Sequence, residues 1–184
     1  IAGIQDFSRT SVGLVNLVCA MAPLLALVVG LHGFSIERGS EELLFSQPIR
    51  RRTILVGKGC GLFGTLALGT LLGFGFAGMI IAVRVGPEGV AEYLVFVGLT
   101  LVLELAFLSI AFLLAALLEQ RMRALGAGLA AWFFFVLLYD LLVIGSTMLF
   151  TGRTLRTGLF VSAFFNPVDM IRVSQLIALN GETF

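Results

Sequence analysis

The sequence predicts an all-α membrane protein, and three observations carry that prediction. Of its 184 residues, 59% are hydrophobic and only 12% charged, with a mean hydropathy of +1.06, whereas soluble domains run at roughly 45–50% apolar and about 25% charged. Four apolar stretches, 12–34, 59–83, 93–118 and 125–150, each reach the length of about 20 residues that a helix needs to cross a hydrocarbon core of roughly 30 Å. The segments between them, 35–58, 84–92 and 119–124, gather the charges and the turn residues. One transmembrane domain over residues 1–184 results, with antiparallel neighbours and an external segment at 151–184.

The same numbers remove other classes. The chain is too apolar for disorder, its 22 glycines show no three-residue period, and two cysteines make no disulfide scaffold. A net charge of +1 provides no polyanion-binding stripe, so nucleic acid is not an expected partner. The first apolar stretch is too long for a signal peptide. Opening on Ile1 and stopping at Phe184 without a closing signal, the sequence reads as the middle of a longer polypeptide.

Each span follows from its flanks. Arg38, Arg50, Arg51, Arg52, Lys58, Arg121 and Arg123 lie in loops on one side; Arg9, Arg84, Arg153, Arg156 and Arg172 lie on the other. The compact clusters at 50–52 and 121–123 both abut a span, so that side is expected to be cytoplasmic and both chain ends external. The second span is rich in glycine, and Gly57, Gly61, Gly69 and Gly73 have the small-xxx-small spacing that permits close helix approach. Near the C-terminus, Asn166 and Pro167 predict a short helix with an Asn cap and a proline in its first turn.

The 35–58 loop is the most informative stretch. Ser40 is a good N-cap, Glu41 and Glu42 fall where the helix dipole favours negative charge, Leu43, Leu44 and Phe45 form an apolar side, and Pro48 ends the helix. A second helix is expected to start near Arg51 and run into the next span. The bland reading is an interfacial loop whose arginines snorkel to anionic membrane lipid. The sharper one is a docking helix for a cytoplasmic partner, since apolar residues beside an acidic pair suit a helix-in-groove ligand.

The run Leu43-Leu44-x-Ser46-Gln47-Pro48-Ile49-x-Arg51-Arg52, followed by Gly57-Lys58, resembles the loop before the third membrane helix of ABC-2 type permeases. The run from Glu119 to Trp132 continuing to Leu138-Tyr139-Asp140-Leu141, and Asn166-Pro167-Val168-Asp169-Met170-Ile171-Arg172, are similar to segments of the members that serve nitrous oxide reductase maturation. The resemblance implies a six-helix permease, of which this chain holds the second to fifth helices and short external helices. It implies a coupling helix seated in a cleft of an ATPase subunit, with Glu41, Glu42, Leu44, Phe45, Gln47, Pro48, Arg51 and Arg52 as ATPase-coupling residues. It further implies a homodimer of permeases over two ATPases of the NosF type, a periplasmic partner of the NosD type, and a bacterial inner-membrane location. Asn166, Pro167, Asp169 and Arg172 form the matching external block.

Glu104 and Asp140 are acids inside spans, where a carboxylate costs about 2.5–3.5 kcal/mol at a helix centre. Counted from the outer ends, both lie roughly 15 Å deep. No Lys or Arg falls within a span to pair with them, so the expectation is that one is protonated or hydrogen-bonded to Tyr139, Thr100, Ser109, Thr65 or a freed backbone group. A proton or ion relay is one reading; a lock on helix packing is the other. Resemblance supports a structural or gating role for Asp140 alone.

Metal and enzyme chemistry find little support. Cys19, Met21, Met79, Met148 and Met170 are soft ligands, but they have no Met-x-x-x-Met or Cys-x-x-Cys spacing, and His32 is alone; methionines scattered in apolar helices usually pack. No resident metal or cofactor is expected. A Glu-Glu-x-x-x-Arg protease would need Arg where Ser46 stands, and Gly57-Lys58 lacks the upstream glycine and following hydroxyl of a phosphate-binding loop. ATP and Mg therefore belong to a separate ATPase chain, and this chain is not expected to be an enzyme. The functions left are an ATP-coupled permease that transports a solute or remodels a periplasmic partner, an exporter of a lipid or hydrophobic compound, and a non-transporting membrane scaffold.

Overall fold

The computed structural model describes residues 2–34, 50–85, 88–118, 120–149 and 165–179, all of them helical apart from short joins. The expectation of four membrane-crossing helices agrees with it: Gly13–Phe34, Arg52–Phe76, Tyr93–Leu117 and Arg121–Gly145 are long and apolar enough to cross.

Helix α1 (Ala2–Phe34) and helix α3 (Glu88–Leu117) form the centre. On α1 the buried positions Val15, Val18, Cys19, Ala22 and Ala26 recur at three- and four-residue steps, the pattern that keeps one stripe of a helix against a neighbour. On α3 the matching stripe is Phe96, Thr100, Leu103, Glu104, Phe107 and Ala111. The two backbones come close at Gly30, where an added Cβ would sit 2.6 Å from the Ala111 Cβ. Pro23 lies inside α1 and is buried; having no N–H, it breaks one rung of the helix ladder there.

Helix α2 (Arg51–Val85) leans on α3 and leaves most of its surface open. Its contacts are few and specific. The Tyr93 hydroxyl donates to the Phe74 carbonyl at 2.6 Å, and Phe74 meets Phe96 edge to face at 5.6 Å. Sequence spacing singled out Gly57, Gly61, Gly69 and Gly73, yet a Cβ at any of these would meet nothing within 4 Å in this chain. The helix also runs through Arg84, and α3 starts at Glu88, so most of the 84–92 stretch is helical rather than loop.

The fourth apolar stretch is one long helix with a widened turn. Helix α4 (Arg121–Phe133) passes into a π-helical segment, Phe134–Leu138, and then into helix α5 (Tyr139–Leu149). In the π segment the Tyr139 N–H reaches back to the Phe134 carbonyl, five residues away. One residue too many is thus fitted into the turn. Helix α4 is tied to α1 twice: the Trp132 indole N–H donates to the Ala20 carbonyl at 2.8 Å, and Gly128 receives the Leu31 side chain in the space a Cβ would need.

Helix α6 (Pro167–Leu179) falls in the segment that the sequence analysis expects on the external side. It packs against α3 and α1. Its apolar positions Val168 and Ile171 are buried in the same core as the spans, since a helix with an apolar stripe gains by burying it.

Candidate functional site: a polar cluster on the sixth helix

Polar residues on α6 recur at every third position, Asn166, Asp169, Arg172 and Gln175, forming a row along one ridge of the helix. Each is held by a different neighbour. Asn166 Oδ1 accepts the Val168 N–H at 3.0 Å, capping the helix, while its Nδ2 donates to the Phe135 carbonyl at 2.8 Å within the π segment. Pro167 is the first helical residue, where its missing N–H costs nothing.

Further along the helix, Arg172 Nη1 donates to both oxygens of Asp140 at 2.9 Å and to Asp169 Oδ1 at 3.1 Å. The side chains are 20% exposed for Arg172, 37% for Asp140 and 15% for Asp169. The Nε of Arg172 is buried without a hydrogen-bond partner among the described residues. Burial works against the guanidinium charge, but the hydrogen bond and charge of Asp140, with the charge of Asp169, carry its pKa above the ordinary value. The Asp169 carboxyl is pushed up to about 6, first by burial and then by the neighbouring negative charge of Asp140. At the far end of the row, Gln175 is fully buried; its Nε2 donates to Thr100 Oγ1 at 2.9 Å and to the Phe96 carbonyl at 3.3 Å, and its Oε1 accepts from Cys19 Sγ at 3.4 Å. Thus α6 joins α1, α3 and the π segment through side chains.

Two sequence expectations are corrected here. The absence of Lys or Arg within the spans suggested that Asp140 has no cation, but Arg172 reaches it from α6. Glu104 and Asp140 were expected at one level with similar needs, yet they face different partners. Glu104 is 3% exposed on α3 and accepts from Thr70 of α2 at 2.5 Å, with its second oxygen buried and unpartnered among the described residues. Thr100, Ser109 and Thr65, the expected donors, instead donate to carbonyls four residues back in their own helices, a common outlet for helical hydroxyls.

Of the residues assigned to ATPase coupling, Glu41, Glu42, Leu44, Phe45, Gln47 and Pro48 lie outside the described residues. Arg51 opens α2, and Arg52 beside it is exposed. Sequence reasoning missed Thr70, Gln175, Cys19 and Trp132 as cross-helix ties; the three-residue polar spacing along α6 was the legible signal for Gln175. Among the described residues, no group of three or more His, Cys, Asp or Glu side chains could hold a metal ion.

The arrangement defines a multi-pass helical membrane protein with a buried polar tie between its spans and a short C-terminal helix. The chain belongs to the ABC-2 family of transporter proteins, whose family model matches residues 4–182. It is 34% identical over 181 residues to the probable ABC transporter permease protein NosY of Pseudomonas aeruginosa, covering 95% of this chain and 66% of that protein. To the probable ABC transporter permease protein NosY of Stutzerimonas stutzeri it is 32% identical over 188 residues, covering 97% of this chain and 67% of that protein. The chain therefore spans about two thirds of the length of the curated relatives it matches.

Proposed function

We propose that this chain is the membrane portion of a NosY-like permease that couples ATP hydrolysis in a partner subunit to a conformational change on the periplasmic side during nitrous oxide reductase copper-site maturation. The observation that carries the reading is the likeness to two NosY permeases along nearly the whole chain. In this reading the full subunit has six spans, pairs with a second copy, sits in the bacterial inner membrane, and receives motion from a NosF-like ATPase through Glu41 to Arg52. ATP and Mg belong to that ATPase, and no catalytic residue or cofactor is assigned here. A NosD-like protein is the periplasmic partner.

The interior favours a mechanical role over bulk solute passage. The buried polar side chains Thr100, Asn166 and Gln175, and one oxygen of Glu104, are engaged with other helices or with their own backbone, and groups so engaged hold helices together rather than bind a passing solute. Export of a lipid or hydrophobic compound is the second reading, favoured by the apolar, open surface of α2. A non-transporting scaffold would need no ATPase. The deciding experiment is copurification of the full-length protein with its ATPase in nanodiscs, comparing wild type with the Glu42→Arg, Phe45→Ala double variant. A wild-type complex that hydrolyses ATP, with a variant that separates or uncouples, is expected. Failure of any ATPase to bind either form overturns the permease reading in favour of the scaffold.

A further inference from the structure

We propose that Asp140, Asp169 and Arg172 form a proton-binding latch, in which one proton taken up on the Asp169 carboxyl holds α6 against the bundle. The geometry is two carboxylates sharing a single guanidinium nitrogen, with contacts of 2.9 Å to Asp140 and 3.1 Å to Asp169. With both acids ionised the cluster carries one uncompensated negative charge. Asp169 and Arg172 keep only 15% and 20% of their side-chain surface exposed, so water does little to spread that charge.

The groups around Asp169 leave the proton as the neutralising ligand. From α6 itself it meets Arg172 and the Asn166 amide; from α5 it meets the Asp140 carboxylate, as a charge and as a hydrogen-bond partner. From α1, Cys19 faces the cluster, interacting with Arg172, Asp169 and Asp140, and its thiol donates to Gln175. From α3 the facing polar group is Thr100, also bound to Gln175, while Glu104 turns to Thr70 of α2. No second cation faces the pair among these groups. A proton on Asp169 turns a repelling pair into a donor and an acceptor, and leaves Arg172 matched one to one with Asp140.

The sign of the pH dependence follows. Docked, Asp169 is pushed up from an ordinary 3.8 to about 6; undocked in water it returns to the ordinary value. A group whose pKa is higher in the docked state stabilises docking fully below the lower value and loses that contribution as pH rises through the higher one. The difference of about two units corresponds to roughly a 100-fold weaker docking equilibrium at neutral pH than at pH 4. The latch closes in acid and loosens toward neutrality, with its midpoint near 6.

The test uses the full-length permease in nanodiscs and does not depend on an ATPase being bound, so it fails or succeeds separately from the functional reading. Infrared difference spectra of wild type against Asp169→Asn should show one protonated carboxyl disappearing between pH 5 and pH 7.5. Hydrogen exchange of the α6 backbone amides, corrected for the intrinsic pH dependence of exchange, should show protection falling by about tenfold over the same range, the part of the full change that lies above pH 5. Asp169→Asn should stay protected at both pH values. Asp140→Asn should move the midpoint downward, because it removes the repelling charge. The proposal is overturned if no carboxyl titrates in wild type, if α6 protection is the same at both pH values, or if Asp169→Asn loses protection as wild type does.

Discussion

Glu104 and Asp140 are both acids in apolar helices, and they are accommodated in different ways. Glu104 is buried beside the Thr70 hydroxyl, which supplies its one hydrogen bond among the described residues. Thr70→Val should therefore leave a buried polar group without a donor and destabilise the protein by about 1–3 kcal/mol. Pairing it with Glu104→Leu should recover much of that loss, since removing both partners spares the desolvation cost. Denaturant unfolding of the two variants and their combination measures the coupling, and simple additivity of the losses would refute the pairing. Asp140 instead has a cation. Arg172→Met should cost about 1–3 kcal/mol, kept below the fully buried range because Asp140 is 37% exposed. It should exceed the cost of Asp140→Asn, because losing the arginine strands two carboxylates and losing Asp140 strands none; unfolding midpoints check the order. The two acids were legible in the sequence as costly residues needing partners. Their partners were not, because Thr70 and Arg172 stand 34 and 32 residues away in the chain and local spacing carries no information about which helices meet.

At the level of elements, glycine separates helix faces that pack from faces that stay open. An alanine methyl at Gly30 would lie 2.6 Å from Ala111 Cβ and 2.8 Å from Leu108 Cδ1. Gly30→Ala should push α1 from α3 and cost about 1–3 kcal/mol. At Gly64 nothing lies within 4 Å, so Gly64→Ala should leave the subunit as stable or raise it by up to about 1 kcal/mol through helix propensity. Thermal unfolding of the two variants side by side tests the contrast. Asn166 acts at an element boundary twice over, capping α6 and occupying the π segment with its amide. Asn166→Asp keeps the capping oxygen and loses the donor to Phe135, whereas Asn166→Ala loses both; exchange protection of α6 should fall in that order, by about 1 kcal/mol for each function removed. Apolar run length made the four long helices legible, and the Asn-Pro pair marked the start of α6. The widened turn at 134–138 and the burial of α6 were not legible, since Phe-Phe-Val-Leu-Leu is as compatible with an ordinary helix as with a π turn. The row of polar side chains on α6 becomes meaningful only once α1, α3 and the π segment are seen to face it.

For the whole molecule, the direction in which the bundle sits decides what the cluster can do. Basic residues gather at 50–52 and 121–123, next to the starts of α2 and α4, and such clusters are retained on the cytoplasmic side. That arrangement is costly to the helices themselves, because Arg121 and Arg123 lie in the first turn of α4 where the dipole disfavours positive charge. Anionic headgroups at the membrane surface would offset that cost at roughly 1 kcal/mol per basic residue. With the clusters on the cytoplasmic side, as the sequence predicts, the start of α3 is expected to face the periplasm. Helix α6 runs toward that end, since Asn166 meets Phe135 midway along the 121–149 helix while Gln175 meets Phe96 and Thr100 near the start of α3. Orientation can be read with an impermeant maleimide on cells expressing single-cysteine variants in a Cys19→Ser, Cys60→Ser background. Met122→Cys, at an exposed position beside the α4 cluster, should react only after the inner membrane is opened. Ala91→Cys, exposed near the start of α3, should react once the outer membrane alone is permeable. The opposite pattern would put α6 and its carboxylates toward the cytoplasm, and the proposed coupling through 35–58 would then have, among the described residues, no short helix on the far side to act through.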